Sequence, residues 1–460
     1  MLKMMGNSTF RKIFGKMMSN KIIMKFFSIS IVFKMIAGGI KITGALAAIV
    51  RKKPAERGEG LVAEMSRGLG REFVENEVFS VRRRIDDDKG HTEVVEPLLK
   101  KLLIDRGMQC MLMVGGNPVL GALNNMTNGM GMLEELSRGD MAIVIAMGAL
   151  GWCLQPIQND PYRRPDLIEE FAPIFLVDKV RQGCFAMTEP EGGCDIENPR
   201  MEGRTIRTRA RLDGDEWVIN GVKQWPSSAG VSSLYCTVCT TDPSLGDEGI
   251  ALIYVPYPIK GLSFGKFENK AGMQADRNCT FYYDDVRVPR RYRAWGPGHD
   301  ANILHQVMVQ GSIGSAIMSV GSARNIFEIV TEYATQRIVA GKPIKEHSVN
   351  ACALADMAIG IETARAYALD VAYRYDHPGT CGPRWSQDML ARSRIAKVYA
   401  ADMSIMVANK AMEIMGCFGY TRDGDVEKHW RDNKMNQLWL AGAQGGRLDI
   451  ARHFCNLEIL

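Results

Sequence analysis

The first 53 residues contain no aspartate or glutamate, although eleven of them are lysine or arginine. The same stretch lacks an unbroken apolar run of the roughly 20 residues that a bilayer-spanning helix needs. FFSISIVF, MIAGGI and ITGALAAIV are separated by Lys34 and Lys41, which argues against a span. No compact apolar core stands near the start, as a cleaved secretory signal would require. Two readings stay open for residues 1–53. One is an amphipathic segment making peripheral contact with an anionic membrane surface. The other is a helical extension packed on the protein's own body or on a partner subunit. The net charge of +5 comes largely from this segment, so nothing further along points to a nucleic-acid partner. No internal repeat is present. The single CxxC, Cys236 and Cys239, lacks the second pair a zinc site needs, so no metal is expected. It lies in LYCTVCTT, a strand-like run in which the two thiols point to opposite faces. The eleven cysteines are scattered and odd in number, which suits free thiols in a reducing, cytoplasmic compartment.

What the chain does have is length, 460 residues, enough for two or three packed units, and 28 methionines that suit irregular helical cores. Hydrophobic periodicity predicts helices in VAEMSRGLGREFVENEVF and EVVEPLLKKLLIDRGM. NMTNGMGMLEELSRGDMAIVIAMGALGWCL predicts two more, the second buried. From about residue 183 the pattern alternates as in strands, with DGDE and NG supplying turns. After about 300 the helical period returns and predicts a bundle. The expected class is α+β. A basic hydrophobic extension (1–55) precedes a helical domain (56–182), a middle antiparallel β domain (183–297) and a C-terminal four-helix bundle (298–460).

Four segments carry candidate chemistry. In CFAMTEPEGGCDIENPR a strand would end near Thr188, and a turn at Gly192 and Gly193 offers N–H groups to an anion. In NGVKQWPSSAG, Trp225 stands beside Ser227 and Ser228, an aromatic plate next to small hydroxyls that suits a flat heterocycle. A buried core tryptophan is the bland alternative. In ATQRIVAGKPI, Arg337 presents a planar fork of the kind that grips a pyrophosphate. In MEIMGCFGYTRDGDVEKHWRDNK, Gly416 and Gly419 allow close backbone approach to a nucleotide, with Arg431 and Asp432 following. Neither of the last two is a GxGxxG fingerprint.

In this order and spacing the segments resemble the acyl-CoA dehydrogenase family of flavoproteins, from about residue 60 to 455. The resemblance rests on AMTEPEGGCDIEN, KQWPSS, ATQRIVAGKPI and IMGCFGYTRDGDVEKHWRD. It implies FAD as cofactor, an acyl-CoA substrate, an electron-transfer flavoprotein or similar acceptor, and a homotetramer or homodimer. Carried over by position, Thr188 would hydrogen-bond the flavin near its reactive nitrogen. Trp225 would pack on the isoalloxazine with Ser227 beside it. Arg337 would bind the FAD pyrophosphate of a neighbouring subunit, and Gly416 to Gly419 would pass the adenosine side. Cys194 stands where the family usually has a substrate-contacting serine. Pro226, Ala340, Ser348 and Cys417 also depart from the common pattern.

The sharpest departure lies in LWLAGAQGG, residues 438–446, which holds no ionisable side chain. The resemblance places Leu440 where the family's proton-abstracting glutamate stands, leaving only a backbone N–H there. The helix that carries the base in other members matches HQVMVQGSIGSAIMSVG, 305–321, which has no carboxylate; His305 lies about two turns too early. Three readings follow: α,β-dehydrogenation with a relocated base; a base-free variant such as decarboxylation, desulfination or enoyl-CoA reduction; or a non-catalytic or non-CoA flavoprotein. For the basic extension, the membrane reading predicts salt-sensitive binding of the full chain to anionic vesicles and none by a chain lacking residues 1–53. Equal, salt-insensitive sedimentation of both with the vesicles rules it out.

Overall fold

The structure, a computed structural model, describes residues 61–114, 125–192 and 205–457. The basic extension lies outside the described residues, as does Cys194.

Helix α1 (Leu61–Phe73) continues into a wider turn at Val74–Val78 and packs against α2 (Met126–Gly139). The two helices expected in NMTNGMGMLEELSRGDMAIVIAMGALGWCL are present and meet at Asp140. That residue is extended (φ −161°), and its carboxylate accepts the Ile143 N–H at 3.0 Å, capping α3 (Met141–Gln158). Helix α3 is buried almost throughout, and α4 (Pro165–Phe175) follows it with proline in its first turn. Among the described residues α3 and α5 (His299–Gln336) are long and apolar enough to cross a membrane. In each, 83% of the apolar window is buried inside the protein, as in core helices.

The middle of the chain forms one seven-stranded sheet: β1 (Gln182–Ala186), β2 (Arg209–Asp213), β3 (Glu216–Gln224), β4 (Ser232–Thr240), β5 (Ile250–Pro256), β6 (Leu262–Phe267) and β7 (Cys279–Pro289). Their order is β1-β4-β2-β3-β7-β6, with β5 also on β4. Most pairings are antiparallel, as expected, but β1 and β2 each meet β4 in parallel, so the sheet is mixed. DGDE makes the β2–β3 turn, with Asp213 opposite Glu216. Asn220–Gly221 does not turn the chain. It lies inside β3 at a bulge where Gly221 has φ +151°, and a Cβ there would meet the Thr208 backbone at 2.6 Å. Cys236 and Cys239 are both fully buried on β4, in different core clusters on its two faces. No cluster of three metal-ligating side chains exists among the described residues.

The C-terminal bundle consists of α5, α6 (Ser348–Asp376) and α7 (Gln387–Met415), with α8 (Val426–Leu438) and α9 (Gly442–Phe454) packed on α7. Gly446 lets α9 lie close: a Cβ there would meet Val398 at 2.8 Å. Met357, Met389, Met403 and Met415 fill the core between the helices.

A buried charge network joins these parts. The Lys428 ammonium lies 2.7 Å from Asp140, 2.8 Å from Asp432 and 3.2 Å from Asp86. Arg431 binds Asp86 at 2.6 Å and the Ala271 carbonyl at 2.7 Å. The pair Arg431–Asp432, read from sequence beside the nucleotide-approaching glycines, is therefore built into this network. Nearby, the loop between β6 and β7 docks on the turn before residue 92. His91 Nε2 lies 2.8 Å from the Gln274 carbonyl, and Arg277 donates to the Gly90 carbonyl. Burial, with Arg277 adding to it, lowers the His91 pKa to about 4.

Two expectations follow. Lys428→Met strands three buried carboxylates without their cation, and should destabilise the fold by about 3–5 kcal/mol, read from urea unfolding midpoints. Because the folded pKa of His91 is depressed, its stabilising contribution is present above the ordinary histidine pKa and is lost as pH falls toward about 4. A His91→Gln variant should show a flatter thermal-stability profile across that window; an unchanged slope removes His91 from the acid sensitivity.

Candidate active site

A cleft of about 810 Å³ opens between the sheet, α3, α5 and the α8–α9 junction. One wall is made by strand ends. Thr188 follows β1, and its carbonyl accepts the Gln224 N–H at 2.9 Å; Trp225 N–H then donates to the Cys279 carbonyl at 3.1 Å. These bonds tie the ends of β1, β3 and β7 together and bring Thr188, Trp225 and Ser227 to one place. Beneath them Lys223, fully buried, donates to Glu189 at 2.8 Å and to the Met187 carbonyl at 2.8 Å. The Glu189 carboxylate also accepts the N–H groups of Arg207 and Thr208. Burial works against its charge, but Lys223 and these donors hold its pKa below the usual range.

The Trp225 ring is 52% exposed on the cleft, and its indole N–H donates to Glu268 at 3.0 Å. It is not the buried core tryptophan of the bland reading. The Ser227 hydroxyl donates to Asp276 at 2.8 Å, and Ser228 N–H donates to the same carboxylate at 3.1 Å. Burial pushes the Asp276 carboxyl upward in pKa. Lys270 binds the Met273 and Asp276 carbonyls and Asn278 Oδ1, which folds the β6–β7 loop into a compact wall.

The facing wall carries Leu440. Its side chain covers Gly311 on α5, where a Cβ would come within 3.3 Å of Leu440 Cδ1. Trp439 packs on Trp152 with ring centres 5.6 Å apart, and its indole donates to Ser315 at 2.9 Å. The N–H groups of Leu440 and Ala441 have no hydrogen-bond partner among the described residues. No ionisable side chain contributes to this wall between Trp439 and Ala441. His305 does not line the cleft; it is influenced by Asp449 and Arg394, and burial lowers its pKa.

Backbone strain gathers here. Trp225, Met273, Leu440 and Ala441 all line the cleft with positive φ, at 59°, 54°, 49° and 68°, and Ser228 (60°) lies just behind. Each such non-glycine residue costs on the order of 1–3 kcal/mol and persists only when its surroundings over-determine it.

Arg337, Gly416 and Gly419 are not part of this cleft. Arg337 ends α5 at an exposed position, and one turn earlier Tyr333 stacks on Phe418 with ring centres 5.7 Å apart. The arginine and the Gly416–Tyr420 turn thus share one end of the bundle. Gly416 has φ +62° with ψ −146°, a glycine conformation, and a Cβ at Gly419 would press on Met412 and Met415 at 3.0 Å. Sequence reasoning missed Glu268, Lys270, Asp276, Gly311 and Arg394. The clustering of Lys, Asn and Asp in ENKAGMQADRN was the one available signal for the loop, and such a run ordinarily reads as a solvated turn.

The residues present fit a flavin ring. A half-exposed tryptophan face borders the cleft, and the Thr188 hydroxyl beside it has no partner among the described residues.

Comparison with known proteins agrees with this geometry. Residues 184–286 match the acyl-CoA dehydrogenase middle domain, and residues 302–453 match the acyl-CoA dehydrogenase C-terminal domain. The mitochondrial short-chain specific acyl-CoA dehydrogenase of Mus musculus is 30% identical over 329 residues, covering 70% of this chain and 74% of that protein. The Bos taurus enzyme of the same description is 29% identical over 399 residues, covering 85% and 89%. In fold, the chain superposes on butyryl-CoA dehydrogenase from Megasphaera elsdenii with a TM-score of 0.75 at 22% identity, covering 86% of this chain and 98% of that one. With its cleft, its helix–sheet–helix order and these matches, the chain belongs to the acyl-CoA dehydrogenase family and is a flavoprotein oxidoreductase of that class.

Proposed function

We propose that the protein is an FAD-dependent oxidoreductase acting on the α,β-carbon pair of an acyl-CoA thioester, with any α-proton handled by a group other than residue 440. The observation that carries this reading is that the Leu440 side chain faces Gly311, where a Cβ would lie 3.3 Å from Leu440 Cδ1. The resemblance puts one in the place of the family's base and the other on the helix that carries it elsewhere, and neither can accept a proton. When bound, FAD supplies a two-electron partner for the β-carbon. The residues of this chain do the rest. Trp225 and Thr188 seat the ring, while Ser227 keeps its proton on Asp276 and offers an oxygen lone pair. Arg337 and the Gly416–Gly419 turn hold the pyrophosphate and adenosine end, Arg337 acting on a neighbouring subunit's cofactor in a homotetramer or homodimer. Cys194 contacts substrate in place of a serine, with a weaker donor. Leu440 supplies an apolar wall, and its unpaired N–H stabilises a thioester oxygen as negative charge develops there. The electron acceptor is an electron-transfer flavoprotein or similar protein.

The dehydrogenase form needs a relocated base. Among the cleft-lining residues the carboxylates are Glu268 and Asp276. Asp276 is committed to Ser227, Ser228 and Asn278, whereas one oxygen of Glu268 has no partner among the described residues. In that form we propose Glu268 as the group that takes the proton, on the ground of its free oxygen on the cleft. The base-free form, in which an enolate arises by loss of a carboxylate or sulfinate, or by hydride delivery to an enoyl thioester, is favoured by the wholly apolar contact of Leu440.

One experiment separates them: anaerobic flavin reduction with a panel of acyl-CoAs in deuterated water. The relocated base predicts flavin bleaching with α-proton exchange, both reduced about 10²- to 10⁴-fold in Glu268→Gln. The base-free form predicts turnover with release of carbon dioxide or sulfite, or reduction of enoyl-CoA, and no exchange with simple acyl-CoAs. Leu440→Glu should add α-proton exchange in either case. A flavin indifferent to every acyl- and enoyl-CoA defeats the proposal as a whole.

A further inference from the structure

Resting on that reading, one buried group behind the Leu440 wall has a role of its own. Arg394 on α7 is fully buried. Its Nε donates to Asp449 on α9 at 3.0 Å, and its Nη1 donates to the Leu440 carbonyl at 2.9 Å and to the Ser312 hydroxyl on α5 at 3.0 Å. Asp449 is 2% exposed, and its other oxygen accepts from Arg452 at 3.1 Å. One planar cation therefore bridges α5, α7, α9 and the backbone at residue 440. A guanidinium suits this place because its donors are fixed in a fork, whereas an ammonium presents a single point.

The segment it holds is unusual. Leu440, Ala441 and Gly442 are three consecutive residues with positive φ, at 49°, 68° and 61°. Two of them carry side chains that disfavour this conformation. Gly442 N–H closes the turn on the Trp439 carbonyl at 3.0 Å, which leaves the 440–441 peptide to be fixed from outside. In a trans peptide the carbonyl of residue 440 and the N–H of residue 441 point in opposite directions. Pinning the Leu440 oxygen inward on Arg394 turns the unpaired Ala441 N–H outward, at a position that lines the cleft.

We propose that Arg394, oriented by Asp449 and Ser312, is a positioning residue that locks the 440–441 peptide and aims the Ala441 N–H into the cleft as a second donor to the thioester oxygen. The cation acts through the peptide it holds and does not touch substrate.

The test compares wild type with Arg394→Lys, which keeps a cation for Asp449 but loses the fork, and with Arg394→Met/Asp449→Leu, which removes both charges together so that neither is left buried alone. Two readouts are taken on the FAD-loaded protein. Hydrogen exchange of the peptide spanning residues 438–446 should speed up at least tenfold in both variants, with exchange in the β domain unchanged. The infrared carbonyl band of bound butyryl-CoA, lowered on binding to wild type, should move back toward its solution position, with kcat falling about tenfold or more and KM changing little. Unchanged exchange at 438–446 together with an unchanged carbonyl band overturns the clamp. If the double variant does not fold, Arg394→Lys decides alone. If wild type itself leaves the butyryl-CoA carbonyl unshifted, the acyl-CoA reading fails, and the exchange measurement still decides whether Arg394 holds the turn.

Discussion

The arrangement depends above all on one buried ammonium. Lys428 is almost wholly removed from water, and burial pushes its pKa down. The carboxylates of Asp140, Asp432 and Asp86 outweigh that penalty and hold it charged, above the usual lysine range. Each partner does a second task. Asp140 caps α3, Asp86 takes the Arg431 guanidinium, and Asp432 accepts the Met273 N–H at 2.5 Å. Through these three the charge joins the N-terminal helices, the bundle and the β6–β7 loop of the cleft. A cluster of this kind is weak as a source of net stability, because the desolvation of four charged groups offsets their attraction. Its value lies in geometry: an apolar core of the same volume would not fix where Met273 stands.

The two cleft walls are built on different principles. The Trp225 wall is polar underneath, with Asp276, Lys270 and the Lys223–Glu189 pair each satisfying backbone or hydroxyl groups beneath an exposed aromatic face. The Leu440 wall is apolar in front and charged behind, with Arg394 and Asp449 out of reach of water. Ionic groups therefore shape both sides without offering a ready proton acceptor beside residue 440. That division fits a site in which an oxygen is stabilised by backbone dipoles, which need no titratable group and work best where water is excluded.

Much of this was legible in the sequence, and what was not has a physical reason. The helix–strand–helix order followed from hydrophobic period, whereas the Asp140 cap that separates α2 from α3 was not read from the sequence. The convergence of Thr188, Trp225, Ser227 and Leu440 followed from resemblance alone; nothing in their spacing, 252 residues from first to last, requires it. Asn220–Gly221 misled because the dipeptide that favours a tight turn also suits a bulge, and only the nearness of Thr208 decides between them. Arg394 and Asp449 were invisible as a pair. Single charges in helical runs read as solvated positions, and their burial depends on Gly446 letting α9 close on α7. The parallel pairing of β1 with β4 is likewise a tertiary outcome, since strand period does not encode direction.

The contact between Leu440 and Gly311 also bears on how such a site can change over time. The two positions share one volume, so their side chains are not independent. A side chain at 311 would press on the leucine at 440, which would have to give by a few tenths of an ångström to admit even a Cβ. A carboxylate introduced at 311 on α5 would therefore be accommodated best with a smaller residue at 440. What residue 440 can be is thus coupled to what residue 311 is, because a Cβ at 311 would lie 3.3 Å from Leu440 Cδ1.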